Sequence, residues 1–220
     1  MKSFQGVPAL NVSKDMLRLY AVTDSQWLGD RTLPQAVEEA ILGGATFIQL
    51  REKRLDTPAR AQVAKQVKAV TDRYHIPFVI NDDVQAALAC GADGVHVGQE
   101  DMQAADVRRL IGPDKILGVS AQSVEQALLA EANGADYLGV GAVFSTSTKA
   151  DAVEVPAAVL RDICQAVSIP VIAIGGVKAE NIPQLQNSGI VGVAVVSAIF
   201  AAPDIIQATQ TLSKAIQAML

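Results

Sequence analysis

The sequence predicts a closed (β/α)8 barrel, the TIM-barrel fold, in one domain. Short apolar runs alternate with helix-period segments eight times along 220 residues. The apolar load is Ala, Val, Ile and Leu, with only 4% aromatic residues, a composition suited to parallel strands buried under helices. Several of the runs end in a polar cluster, as strands do when their C-terminal ends share one functional rim. The length suits a single such barrel, since these folds occupy roughly 200–250 residues without dividing.

Residues 1–16 carry neither period and are expected to form an N-terminal arm. The first strand is placed at 17–23, Leu-Arg-Leu-Tyr-Ala-Val-Thr, and a helical period follows at 33–42. The second strand, 46–50, leads to a helix over 58–74 that opens on a proline, and the third, 78–80, to a helix over 83–90. Strands at 94–97 and 116–119 precede helices at 102–111 and 124–133. The remaining strands, 137–140, 171–174 and 192–196, precede helices at 156–167, 181–188 and 203–219, with Val196-Ser197 opening a short helical turn. An internal echo supports the scheme. Gly44-Ala-Thr, Gly91-Ala-Asp, Gly134-Ala-Asp and Gly189-Ile-Val each close a helix and open a strand, as glycine at a helix C-terminus does. An open doubly wound sheet would show the same alternation, but no Gly-x-Gly-x-x-Gly turn follows the first strand.

The net charge of −5, from 23 acids against 18 bases, leaves no basic footprint for nucleic acid or anionic membranes. No apolar run approaches the roughly 20 residues needed to cross a bilayer as a helix. Cys90 and Cys164 are far apart, and the opening residues lack the apolar stretch of a signal peptide. A cytoplasmic protein with reduced thiols is the expectation.

Strand parity locates the chemistry. Phe47, Gln49, Arg51 and Lys53 share one parity, while Ile48 and Leu50 have the apolar character of a helix-facing side. Gln49, Arg51 and Lys53 therefore point inward and up at the C-terminal rim, either as a polar layer capping the barrel or as an anion site. Two cations two residues apart would repel unless compensated, by about 4 kcal/mol at 4 Å and an effective dielectric of 20. Glu52 lies on the other face, so a bound anion is the expected compensation. Asn81-Asp82-Asp83 ends the third strand, with Asp83 placed to cap the next helix and Asp82 left without a structural role. Asp101, ending the fourth, either caps helix 102–111 or joins Asp82 on a shared Mg²⁺, which takes one or two carboxylates plus phosphate oxygens. Ser145-Thr146-Ser147-Thr148-Lys149, Gly175-Gly176 and Val196-Ser197 follow strands six, seven and eight, where barrels build phosphate sites from backbone N–H groups. His96 reads as a buried strand histidine and His75 as a helix-end residue, so neither forms a triad with a serine. Cys90 and Cys164 read as core residues on helices.

At these residues the chain resembles the thiamine phosphate synthase family, from about Leu17 to the C-terminal helix. Gln49-Leu-Arg-Glu-Lys53, Asn81-Asp-Asp, His96-Val-Gly-Gln-Glu-Asp101, Gly118-Val-Ser-Ala, Thr146-x-Thr-Lys149 and Ile174-Gly-Gly occur in the family's order. The resemblance implies a transferase that joins a pyrimidine pyrophosphate to a thiazole phosphate, giving thiamine phosphate and pyrophosphate. It implies that Gln49, Arg51, Lys53, Asn81, Ser120 and Lys149 hold the pyrimidine pyrophosphate, with Arg51, Lys53, Ser120 and Lys149 acting in catalysis. Asp82 and Asp101 would hold Mg²⁺, and Thr146, Ser147, Thr148, Gly176, Val196 and Ser197 would meet the thiazole phosphate. The implied mechanism is ionisation of the pyrimidine methyl–pyrophosphate bond to a carbocation, captured by the thiazole nitrogen. A thiazole phosphate tautomerase on the same barrel would need no pyrophosphate clamp; a binding protein for thiamine precursors would keep the pocket without turnover. The chain departs from the family at Gln122, where many relatives carry histidine, and at 150–159, which lacks a glycine common before the sixth helix. The polar loop at 145–151 is expected to close over substrate, carrying Lys149 with it. Limited proteolysis should therefore cut this loop more slowly with both substrates bound, and equal cutting would argue against closure.

Overall fold

The computed structural model describes residues 12–146 and 154–220. Its strands are β1 (Leu19–Val22), β2 (Phe47–Leu50), β3 (Phe78–Asn81), β4 (Gly94–Val97), β5 (Ile116–Ala121), β6 (Tyr137–Val140), β7 (Val171–Ile174) and β8 (Gly192–Val195). All pair in parallel in sequence order, and β8 pairs β1, so the barrel closes with no free edge. Helices α1 (Leu33–Leu42), α2 (Thr57–Arg73), α3 (Val84–Cys90), α4 (Ala104–Ile111), α5 (Val124–Ala132), α6 (Ala157–Ala166), α7 (Ser197–Phe200) and α8 (Ile205–Met219) accompany them. The (β/α)8 reading is thus correct, with three local corrections.

Leu17 closes a 3₁₀ turn, Asp15–Leu17, so β1 starts two residues later than expected. The expected helix at 181–188 shrinks to a 3₁₀ turn, Ile182–Leu185, because Gln186 leaves the helical region at ψ 140° and Asn187 follows it into the left-handed region at φ 62°. The N-cap position of α4 is Gln103, which makes no side-chain cap, so Asp101 does not cap this helix. Where caps do occur they open the helices at the C-terminal rim. Thr32 and Gln35 form a capping box, and Asp56, Asp83, Ser123 and Asp204 each accept a backbone N–H at the head of α2, α3, α5 and α8.

Side-chain alternation separates two cores. Leu19, Ala21, Ile48, Leu50, Ile80 and Leu138 pack outward against the helices. Tyr20, Phe47, Val79, Ile116, Tyr137 and Ile172 fill the interior, with the Tyr20 and Phe47 ring centroids 4.5 Å apart. Phe47 and Gln49 thus share the inward parity read from the sequence.

The Gly-Ala-x echo acquires a physical meaning at the opposite rim. Ala45, Ala92 and Ala135 each return an N–H to the carbonyl five residues back, closing α1, α3 and α5. The third residue then reaches the neighbouring strand: Leu19 N–H donates to Thr46 Oγ1 at 3.0 Å, Phe78 N–H to Asp93 Oδ2 at 2.8 Å, and Leu117 N–H to Asp136 Oδ2 at 2.7 Å. The strand pairs β1–β2, β3–β4 and β5–β6 are each clipped this way. In the fourth repeat Val191 keeps the backbone bond to Val171 but has no side-chain oxygen to offer.

Arg108 secures the third clip. Its guanidinium donates to the carbonyls of Gly112, Lys115 and Gly134 and, at 2.7 Å, to Asp136 Oδ2. Replacing Asp136 by Ala would leave a buried N–H and a half-buried guanidinium short of an acceptor. Asp136→Ala should cost about 2–4 kcal/mol in urea unfolding. Asp106→Ala, which removes the exposed partner of Arg109, should cost under about 0.5 kcal/mol.

Candidate active site

The C-terminal ends of the strands bring most of the expected residues to one rim. On β2, Gln49 is buried inside the barrel and gives its Nε2 hydrogen to the Tyr20 hydroxyl at 2.7 Å. Just beyond, fully buried Thr23 accepts the Arg51 N–H at 3.0 Å and donates to Glu52 at 3.1 Å, which orients the turn. The Arg51 guanidinium lies 3.8 Å from Asp24. A bound anion is the expected compensation for Arg51; a carboxylate, that of Asp24 in the loop after β1, already supplies part of it.

Arg60 on α2 anchors the loop that carries Lys53. It donates to the Glu52 carbonyl at 3.1 Å and the Leu55 carbonyl at 2.5 Å, and it pairs with Asp83. Asp83 also caps α3 through Ala86 N–H and accepts from Thr57 at 2.8 Å. Burial works against its charge, but the bonds from Ala86, Thr57 and Arg60 outweigh it and hold the carboxyl below its ordinary range. Asp83 is structural, as its sequence position suggested. Lys53, Arg60, Asn81, Asp82 and Met102 line a cleft of about 340 Å³ beside the barrel mouth.

Asp82 stands apart from its neighbours. It occupies the left-handed region at φ 63°, held there as its N–H donates to the His96 carbonyl at 2.8 Å. An aspartate kept in that conformation at a strand end points to a use other than packing. Burial, then hydrogen bonding and charge repulsion from Asp101, push its carboxyl up to about 7 against the opposing fields of Lys53 and Arg51. Asp101 is fixed in turn by the Gly98 N–H, 2.7 Å from its Oδ2, and a Cβ at position 98 would sit only 2.9 Å from that oxygen. The Asp82 carboxyl, beyond the end of β3, thus faces that of Asp101, in the loop after β4, within the fields of Lys53 and Arg51. Hard oxygen donors in that setting suit a divalent ion that would replace the Asp82 proton.

On β5, the Ser120 hydroxyl is 2.9 Å from His96 Nε2, and its carbonyl accepts from Gln99 at 2.6 Å. His96 is buried, and desolvation lowers its pKa to about 4, so the ring is neutral at physiological pH. Gln122, exposed at the rim, donates to the Gly141 carbonyl at 3.3 Å. Gly175 and Gly176 both have positive φ, and a Cβ on Gly176 would fall 2.4 Å from the Ser145 carbonyl, so only glycine lets this turn pass under the loop after β6. Val196 is the N-cap of α7 and Ser197 its first residue. Thr146 sits half-buried in the loop after β6. Ser147, Thr148 and Lys149, with most of the 145–151 loop, lie outside the described residues.

The thiamine monophosphate synthase family model matches residues 19–199. The chain belongs to that family. It is 56% identical over 200 residues to the thiamine-phosphate synthase of Ruminiclostridium cellulolyticum, covering 91% of this chain and 95% of the relative. It is 48% identical to that of Clostridium tetani, over 89% of this chain and 93% of the relative. The thiamine phosphate pyrophosphorylase structure from Pyrococcus furiosus superposes with a TM-score of 0.86 at 40% identity, covering 94% of this chain and 98% of that one. Membership in the thiamine monophosphate synthase family agrees with the resemblance carried by the ordered motifs.

Sequence reasoning missed four residues that shape the site: Asp24, Arg60, Tyr20 and Tyr137. The two tyrosines were accessible through inward parity, whereas Asp24 and Arg60 become relevant only once loops are folded together.

The Asp82 carboxyl yields a test. Its pKa is raised on folding, so the folded protein holds a proton that the unfolded chain releases, and stability falls as pH rises from about 4 to 7. In EDTA, Asp82→Asn, which keeps a residue tolerant of the left-handed region, should therefore gain stability over the parent at pH 8 and little at pH 4. Allowing for its partial exposure, the gain should be on the order of 1 kcal/mol by thermal or urea melts at the two pH values.

Proposed function

We propose that this protein is a thiamine phosphate synthase, a transferase that condenses 4-amino-2-methyl-5-(diphosphooxymethyl)pyrimidine with 4-methyl-5-(2-phosphoethyl)thiazole and releases pyrophosphate. One observation carries the reading in this family: the paired carboxyls of Asp82 and Asp101 face Arg51 and Lys53 on one rim. A tautomerase acting on a monophosphate has no need of that clamp.

In this reading Arg51, Lys53 and Lys149 take the charge of the pyrophosphate, with Asn81 and Ser120 as hydrogen-bond partners and Gln49 on the pyrimidine. Asp82 and Asp101 would hold Mg²⁺, which supplies charge neutralisation for the departing pyrophosphate. Arg51 is pre-oriented by Thr23 and Asp24, and Lys53 by the Arg60 anchor, so little reorganisation is needed when the anion arrives. Thr146, Ser147, Thr148, Gly176, Val196 and Ser197 would meet the thiazole phosphate. The reaction ionises the pyrimidine methyl–pyrophosphate bond, and the thiazole nitrogen captures the cation. Neutral His96, engaged with Ser120 and Tyr137, leaves no free imidazole in the described site to intercept it.

Incubation with both substrates and Mg²⁺ should yield thiamine phosphate and pyrophosphate in equal amounts, and EDTA should abolish both. Asp82→Ala and Asp101→Ala should each lower kcat/KM on the order of 100-fold or more while leaving the fold intact by circular dichroism. Full activity in the double variant would overturn the assignment. Binding of thiazole phosphate without any product would favour a tautomerase or a binding protein.

A further inference from the structure

Four buried polar side chains and half-buried Ser120, on five strands, form one continuous hydrogen-bonded chain through the barrel interior. Gln49 Nε2 is 2.7 Å from the Tyr20 hydroxyl, which is 2.7 Å from the Tyr137 hydroxyl; that oxygen is 2.9 Å from His96 Nδ1, and His96 Nε2 is 2.9 Å from Ser120 Oγ. Its three inner members are at most 8% exposed. β5 is built to let two of them meet: a Cβ at Gly118 would lie 2.3 Å from the Tyr137 hydroxyl and 2.5 Å from His96 Nδ1.

Both ends are residues proposed to touch substrate, and the three between them are not. All three are uncharged at neutral pH, because burial raises both phenols above their ordinary value and lowers the imidazole. Each link therefore has one proton, and the order of the links matters. The Gln49 amide donates to Tyr20, so the Tyr20 proton must go to Tyr137, or it would be left buried and unpaired. Tyr137 then gives its proton to His96 Nδ1. The imidazole must carry its own hydrogen on Nε2 and donate it to Ser120. Ser120 is left with an outward O–H and no other acceptor among the described residues. At the far end the Gln49 carbonyl has no partner among the described residues, yet no buried side-chain oxygen there is unpaired, so it opens toward the mouth.

We infer that this chain holds a single proton order, with Tyr20, Tyr137 and His96 as positioning residues that present a hydrogen-bond acceptor at Gln49 and a donor at Ser120. The ligand class it fits bears an amino group at one end and an anionic oxygen at the other. Resting on the synthase reading, it makes the chain a specificity device for the aminopyrimidine pyrophosphate: an analogue with oxo in place of amino sets two acceptors face to face at Gln49. To welcome that analogue the amide must turn over, and the reversal would run along the chain and withdraw the Ser120 proton from the phosphate. Recognition at the two ends is thereby coupled through residues that touch neither.

The test uses the whole protein labelled with ¹⁵N-histidine. Only two histidines are present, and exposed His75 provides an internal control. Ring ¹⁵N–¹H correlations at neutral pH should show His96 as the Nε2–H tautomer; the Nδ1–H tautomer or an imidazolium would overturn the inference, whether or not the protein makes thiamine phosphate. In the assay, the kcat/KM preference for the amino substrate over the oxo analogue should fall at least tenfold in Tyr20→Phe, mainly through KM, because the Gln49 amide is freed to turn. Tyr137→Phe, which cuts the chain one link on, should give the same loss and serves if Tyr20→Phe does not fold. Unchanged discrimination in a folded variant would refute the coupling, while absence of product from the parent would count against the synthase reading alone.

Discussion

Polar groups buried inside a barrel must find partners inside it. Two tyrosine hydroxyls, an imidazole and a glutamine amide occupy the interior here, and each unpaired one would cost about 1–3 kcal/mol. Pairing them ties β1, β2, β4, β5 and β6 in a single register, since a slip of one residue would turn Tyr20, Gln49 or His96 out among the helices. The rings of Tyr20 and Tyr137, two members of this network, pack with Phe47 at centroid distances of 4.5–5.8 Å. Glycines at 118 and 139 give His96 and Tyr137 the room to sit side by side. The strands contribute few residues each, so a handful of side chains decides both closure and what the mouth of the barrel presents.

The mouth itself is organised by hydrogen bonds that fix its turns first and by charge pairing second. Thr23 and Arg60 set the turn after β2, Gly98 seats Asp101, and the His96 carbonyl holds Asp82 in its uncommon backbone conformation. Two cations and two acids are then left close together without full mutual satisfaction. Such an arrangement is unfavourable in the empty protein, and a ligand carrying both a metal and phosphate oxygens relieves it.

Much of this was legible in the residues. Periodicity and the glycine-led helix ends were enough for the barrel, and period-2 parity placed Gln49 and Phe47 inside. What failed did so for local reasons. The segment at 181–188 has helical spacing, yet the backbone turns extended at Gln186 and left-handed at Asn187 and stops it after one turn, a choice of conformation that no apolar pattern reports. Asp101 looked equally like a helix cap, and only the close approach to Gly98 separates the two roles. Arg51 and Asp24 are neighbours because β1 and β2 are paired, although 27 positions separate them along the chain. The hydrogen-bond chain was invisible for the same reason, since its members come from five strands and no short motif contains two consecutive links.

The clips at Thr46, Asp93 and Asp136 divide the barrel into two-strand modules, joined at the face remote from the site. Loops at the mouth can then diverge without loosening the joints, which separates the inheritance of a scaffold from the inheritance of an activity. The unclipped module, β7–β8, is also the one whose turns, Gly175-Gly176 and Val196-Ser197, come nearest to being pure backbone. For an engineer, that makes it the natural seam at which to open the ring, move the termini, or graft a quarter from another barrel.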